Sequence, residues 1–339
     1  MNLSDQRQTV ALILIGFGAL WLLSTLNLVS SAVLGVLLGY WPVLLIGIGL
    51  DILLDQRPFG VPYTGLAFAG LAVFALAGAP GTNGKLSAER FGEPLGNATS
   101  AEIELNLGSA PTTLEALGDA ANLLDATIRD DGRISLSARG NEHKRLELVK
   151  NTRGVTLGRS NANRYWQVGL SPNVPLELSV DAASGSSTLD LTGLNLSELD
   201  IELGSGSSEI ILPENENRYA FDLEGASGSS DITLPPGADV QLEADMGSGP
   251  SHFELQQGAY IDFNLSSGSG PITLDVADGS NVKLVVEDDG SGALTLPGWL
   301  TQLEGDEEEG VWQTEGFEPD RGQIIITIED RGSGSITLR

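Results

Sequence analysis

Apolar positions along this chain follow two patterns, which change over at about residue 80. Before that point they run continuously. Val10 to Val29 reads VALILIGFGALWLLSTLNLV without a charge, and a helix of that length, rising ~1.5 Å per residue, crosses the ~30 Å hydrocarbon layer of a bilayer. A second run, Ala32 to Leu54, carries only Asp51, and a third, Val61 to Ala79, carries no charge. The pattern predicts three transmembrane helices near 10–29, 32–54 and 61–79, followed by a linker over 80–99. Tyr40-Trp41-Pro42 suits a membrane interface, so residues 31–39 form either part of the second span or a short interfacial helix. A cleavable signal peptide is the competing reading of the first run, but no small-residue cleavage site follows it.

From residue 100 onward the apolar positions alternate, and the alternation repeats. A Gly/Ser turn precedes an apolar-x-apolar strand in SGSSTLDL, SGSSEIIL, SGSSDITL, GSGPSHFEL, SGSGPITL, DGSGALTL and RGSGSITL. Their last leucines, Leu191, Leu212, Leu234, Leu255, Leu274, Leu296 and Leu338, are spaced by 21, 22, 21, 19, 22 and 42. The period extends upstream through Leu114, Leu136 and Leu157, spaced by 22 and 21. Each period holds a second alternating strand, such as Leu199/Ile201/Leu203 or Tyr219/Phe221/Leu223.

About 21 residues per repeat with two strands predicts a parallel β-solenoid over residues 100–339, with an antiparallel sandwich or barrel as the alternative. The 42-residue step then reads as one extra coil containing Trp299, Trp312 and Phe317. The last coil, ending at Arg339, would leave a strand edge open to another chain.

Charge changes the picture by region. The 339 residues carry 18 basic and 46 acidic side chains, a net charge of −28, and residues 165–339 hold 5 of the basic and 32 of the acidic groups. Phosphate-held nucleic-acid binding is excluded as a partner class by that balance. Of the few charges near the spans, Arg7 and Arg57 mark cytoplasmic ends, which predicts a cytoplasmic N-terminus and an extracytoplasmic domain from about Pro80. Gly35-x-x-x-Gly39 allows close helix packing, among these spans or between copies.

Candidate chemistry is sparse. With no cysteine and only His143 and His252, the chain has no thiol chemistry and no multi-histidine metal centre. Neither histidine has a serine and carboxylate placed as a triad, so no catalytic residue, enzyme activity or cofactor is expected. The acidic loop Asp306, Glu307, Glu308 and Glu309 is the one candidate Ca²⁺ site, since calcium requires six to eight oxygen ligands from a defined loop. The Ser-Gly-Ser-Ser turns read as tight structural corners, with a hydroxyl ridge for sugars as the functional alternative.

These residues carry a resemblance. LILIGFGALWLLSTLNLV followed by YWPVLLIGIGLDILL resembles the membrane region of LiaF-type cell-envelope stress proteins. AEIELNLGSAPTTLEALGDAANLLDATIRDDGRISL, residues 101–136, is similar to the opening of the toast-rack domain attached to such regions, and the later repeats resemble adhesin-like bacterial solenoids. The resemblance implies a membrane-anchored envelope protein that senses stress or modulates a membrane-bound signalling partner. The alternative is a surface scaffold or adhesin whose acidic repeat domain binds glycan, cations or another protein. Self-association through the transmembrane helices or the terminal coil stays open, and the bilayer itself is an expected partner.

Overall fold

Alternating apolar residues become strands wherever the structure describes them. A computed structural model describes residues 87–339 except 119–120, 131–132, 152–163, 216, 288–289, 307–308 and 320–321, together with scattered helical positions between 42 and 70. Among the described residues no helix is long and apolar enough to cross a membrane. The three expected spans therefore fall almost wholly outside them. Two units separate by contacts, residues 1–86 with 152–162, and residues 87–151 with 163–339. The second unit is all β.

Its strands run β1 (Glu89–Pro94), β2 (Ser100–Asn106), β3 (Thr112–Ala116), β4 (Asn122–Arg129), β5 (Arg133–Arg139), β6 (His143–Asn151), β7 (Tyr165–Leu170) and β8 (Leu176–Ala182). They continue with β9 (Ser187–Asp190), β10 (Leu196–Leu203), β11 (Ser208–Ile211), β12 (Tyr219–Gly225), β13 (Ser230–Leu234), β14 (Asp239–Met246), β15 (Ser251–Leu255) and β16 (Tyr260–Ser267). The last are β17 (Ile272–Val276), β18 (Asn281–Val286), β19 (Leu294–Thr295), β20 (Leu300–Gly305), β21 (Gly310–Thr314), β22 (Gln323–Asp330) and β23 (Ile336–Leu338). Strand β1 lies inside 80–99, the stretch expected as linker, and pairs antiparallel with β4.

Two long, mostly parallel sheets result. The first has 11 strands in the order β1-β4-β7-β3-β9-β11-β13-β15-β17-β23-β19, and the second has 12 in the order β20-β21-β18-β22-β16-β14-β12-β10-β8-β2-β6-β5. Each central period gives one strand to each sheet, and equivalent strands pair in parallel. Leu189, Ile210, Ile232, Phe253 and Leu274 stand opposite one another along the first sheet. Leu178, Leu199, Phe221, Leu242 and Phe263 do so along the second. All ten are buried, and they form apolar ladders whose two rows meet where the Phe253 and Phe263 rings lie 4.9 Å apart.

Register corrects the repeat arithmetic at one step. Leu255 pairs with Val276, not Leu274, so the step of 19 is really 21. Both positions are apolar and two residues apart, so a count of leucines alone cannot separate them.

The stack is not built in chain order, and this overturns three further expectations. At one end β22 and β23 insert between β16/β17 and β18/β19. The strand before Arg339 is therefore paired on both sides and is no open edge. Arg339 donates its N–H to the Leu274 carbonyl at 3.0 Å and accepts one from Val276 at 2.9 Å. The 42-residue gap holds no extra coil. It contains β20 and β21, a hairpin that caps β18 antiparallel and buries Trp312.

At the other end β2/β3 insert between β6/β7 and β8/β9 in the same way. Leu136 does not belong to a stacked coil either, because its strand β5 is an antiparallel edge on β6. Leu157 lies outside the described residues. Antiparallel strands form three of the four sheet edges, β1, β5 and β20, and the fourth, β19, is only 2 residues long, which guards against edge-to-edge pairing.

Corner glycines let successive turns approach. A Cβ built on Gly206, Gly228, Gly249, Gly270 or Gly334 would land on the carbonyl oxygen of the equivalent glycine one turn away. The following serines turn inward. Ser187 and Ser208 share a 2.8 Å hydrogen bond and Ser230 and Ser251 one of 3.0 Å, with all four buried. A buried hydroxyl with a partner is stable, and an unpaired one is costly. These serines therefore line the interior of the stack and not an outer ridge.

Candidate functional site

Strand register gathers the acidic residues of the second sheet into rows. Inward positions hold the apolar ladder, so every intervening side chain points outward. Asp200, Asp222 and Glu243 are neighbours across β10, β12 and β14, and Glu202, Glu224 and Asp245 form the next row. Glu198 and Glu177 continue a third row onto β8, and Glu102 extends it onto β2. Strands ~4.8 Å apart bring these like charges within mutual reach.

Partial burial, and then the Asp222 carboxylate, hold Asp200 above the ordinary carboxylate value. Few cations answer this face. Arg145 pairs with Glu102 at 2.5 Å and Arg218 reaches Asp262 at 3.3 Å. The face is a strong repellent of anionic polymers and collects a diffuse cation atmosphere.

Like charges at this density cost stability, and the cost responds to conditions. Raising NaCl from about 0.01 M to about 0.3 M at neutral pH shortens the Debye length roughly from 30 Å to 6 Å, so calorimetry is expected to show a higher Tm. Asp200→Asn is expected to raise Tm by about 1–3 °C by relieving one row. A fall in Tm on either change would show that the rows do not repel.

The pH response has two signs. Asp200, raised in the folded state, contributes stability that is complete below the unfolded value near 4 and lost as pH rises through its folded value. Asp275 is lowered by hydrogen bonds from Arg339, against desolvation, and with further help from His252. Asp125 is lowered by Arg90. Those two contribute stability above about 4 that is lost as pH falls through their depressed values. Stability from these groups is therefore expected to peak in acid, around the ordinary carboxylate value of about 4, and calorimetry from pH 3 to 8 checks it.

The outer face of the first sheet has a different character. His252 Nδ1 lies 3.3 Å from Asp231 and its Nε2 lies 3.3 Å from Asp275. Asp275 also takes the Arg339 guanidinium at 2.9 Å. The four side chains clasp β13, β15, β17 and the end of β23. On the second sheet, His143 meets the Ser100 hydroxyl at 2.5 Å between neighbouring strands. Each histidine thus joins adjacent strands.

A buried ionic cluster sits near β7. The Asp130 carboxylate, fully buried, takes Lys150 at 2.8 Å, Arg164 at 3.5 Å and the Trp166 indole N–H at 2.8 Å. Removing the anion strands buried cations, so Asp130→Ala is expected to cost about 3 kcal/mol, read as a shifted urea midpoint. A midpoint within error of the parent would refute it.

The expected calcium loop is the turn of the β20–β21 hairpin. Asp306 donates its N–H to the Glu309 carbonyl at 2.7 Å, and its side chain accepts the Glu309 N–H at 3.0 Å. Glu307 and Glu308 lie outside the described residues. Among the described residues no group of three or more acidic or histidine side chains is arranged to hold a metal.

The capped end also holds an open cleft of about 1100 Å³. It lies between the turns around β16–β18 and the β20–β21 hairpin. Tyr260 and Trp299, each 41% exposed, line it. Asn281 fixes one wall, donating to the Glu318 carbonyl at 2.6 Å and accepting the Glu318 N–H at 3.1 Å. Thr314 anchors another through Val282. The repeat reading missed this cleft. Its visible signal was Pro297-Gly298-Trp299, an aromatic residue on a tight turn.

Comparison with known proteins places two regions. Residues 9–82 match the LiaF transmembrane domain, and residues 82–235 match the N-terminal domain of toast_rack. No curated protein matches the chain. Among solved structures, one from Clostridium sporogenes provisionally named a cell adhesion protein is 17% identical, with a TM-score of 0.39, covering 75% of this chain and 99% of its own. A provisionally named adhesin from Bacteroides fragilis is 10% identical, with a TM-score of 0.37 and coverage of 76% and 99%. A provisionally named lipid-binding protein from Parabacteroides distasonis is 14% identical, with a TM-score of 0.29 and coverage of 75% and 98%.

Proposed function

From a LiaF-type transmembrane domain joined to a toast-rack domain, we propose that this is a non-enzymatic regulator of the bacterial envelope-stress response, acting on a membrane-bound signalling partner. The match of residues 9–82 to the LiaF transmembrane domain carries this reading. Three spans with Arg7 and Arg57 on the cytoplasmic side put the N-terminus inside and the β unit outside. Outside, the unit acts as a parallel β-solenoid whose acidic face repels anionic envelope polymers and so stays solvated. Glycine-spaced spans provide the close-packing surface for a partner helix.

Affinity capture from crosslinked membranes tests the reading, with full-length protein run beside a chain ending at residue 85. Recovery of the same membrane histidine kinase by both supports a regulator acting through its spans. Recovery by full-length protein alone, of envelope polymer or a surface protein, would replace it with the scaffold or adhesin reading.

A further inference from the structure

Among the described residues of the β unit, aromatic side chains are buried or half-buried with two exceptions. Trp166, Phe221, Phe253 and Phe263 are fully enclosed, and Trp312 is 6% exposed. Trp299 and Tyr260 depart from that rule, and they do so in the same cleft. They come from distant parts of the chain, one before β20 and one opening β16, and both line the cleft at this end of the stack.

Around the two rings the cleft is polar. Gln257 and Asn281 are its amide residues, Ser280, Thr301 and Thr314 its hydroxyl residues, and Asp278, Glu315 and Glu318 its acidic ones. Hydrogen bonds within the fold already set parts of these walls, since Gln257 donates to the Gly279 carbonyl at 3.0 Å and Asn281 holds the Glu318 backbone. The cleft is therefore formed before any ligand arrives.

From these features the geometry points to a binding site for a neutral oligosaccharide. A pyranose ring presents a flat C–H face that stacks on an indole or phenol, while its hydroxyls point outward to amides, hydroxyls and carboxylates. The volume, about 1100 Å³, lies at or beyond the ~300–1,000 Å³ typical of small-ligand sites and admits a short chain. Carboxylates in the walls, and the acidity of the unit, turn away phosphorylated ligands. Neutral amides and hydroxyls outnumber carboxylates in the lining, which favours sugar over a basic peptide. The inference is independent of the membrane-partner reading: the cleft binds sugar whether or not the spans engage a kinase.

Calorimetric titration of full-length protein in detergent micelles with the β-1,4-linked hexamer of N-acetylglucosamine, the β-1,4-linked hexamer of glucose, and hexalysine tests it. At least one hexasaccharide is expected to bind saturably with Kd between about 10 μM and 1 mM. Trp299→Ala should weaken it at least tenfold and Tyr260→Ala at least threefold, with Glu209→Gln on the first sheet unchanged. Should Trp299→Ala misfold, Trp299→Phe keeps a ring and is expected to retain partial binding. Saturation-transfer NMR on the parent chain reads the sugar C–H protons directly. Absence of saturable binding by both hexasaccharides overturns the proposal. So does binding that both aromatic substitutions leave intact, and so does hexalysine binding in place of sugar.

Discussion

A chain ending at Glu318 is expected to lose far more than its last two strands. It lacks β22 and β23, which lie inside the stack with partners on both sides. Ile324, Ile326, Ile328, Ile336 and Leu338 are all at most 1% exposed. Removing five such side chains from a core forfeits on the order of 10 kcal/mol, comparable to the whole stability of an ordinary domain. It also separates β18, β19 and the capping hairpin from their platform. Hydrogen exchange should show protection collapsing from β16 through β21, with Tm falling by more than about 15 °C. If the C-terminal strands were merely a terminal layer, the truncated chain would keep protection through β18 and lose only a few degrees.

Gly228→Val is expected to do severe damage. Its backbone is not in the left-handed region, so φ strain is not the cause. The cause is proximity, because a Cβ there falls on the Gly206 carbonyl oxygen, and Gly249 stacks on Gly228 in the same way. The obstructing atoms are backbone, held by the corner hydrogen bond from the Gly228 N–H to Gly204 at 3.2 Å, so neither turn can yield alone. A cost on the order of 5 kcal/mol places this at the top of the range for single changes. Gly193→Val is the contrast, since a Cβ at that position meets nothing within 4 Å and only its φ of 81° is unfavourable. Urea denaturation of the two variants should differ by several kcal/mol. Equal midpoints would refute the corner-packing account.

The central strands could be read from the sequence because their ladder residues alternate and their turns recur. Ile210, Ile232 and Phe253 sit where a period of 21 or 22 puts them. Stack order at the ends could not be read. Val282-x-Leu284-x-Val286 and Ile324-x-Ile326-x-Ile328 present the same apolar alternation, and either could pair with β16. Only the three-dimensional pairing puts the later one inside.

The same limit hid both surface features. Thirty-two acidic residues after position 164 announced an acidic unit, but the row of Asp200, Asp222 and Glu243 exists only once register is known. Trp299 and Tyr260 are 39 positions apart, and only the folded chain shows that they line one cleft. The Ser-Gly-Ser-Ser repetition, by contrast, announced structural corners, but the stacking of their glycines and the inward pairing of their serines emerged only from the fold.

The absence of cysteine makes membrane anchoring with the β unit outside the cytoplasm directly measurable. Ser248→Cys places a single thiol on an exposed corner, and Ser4→Cys places one ahead of the first span. A membrane-impermeant maleimide applied to intact cells should label Ser248→Cys and reach Ser4→Cys only after lysis. Labelling of Ser4→Cys in intact cells, with Ser248→Cys protected until lysis, would contradict the account.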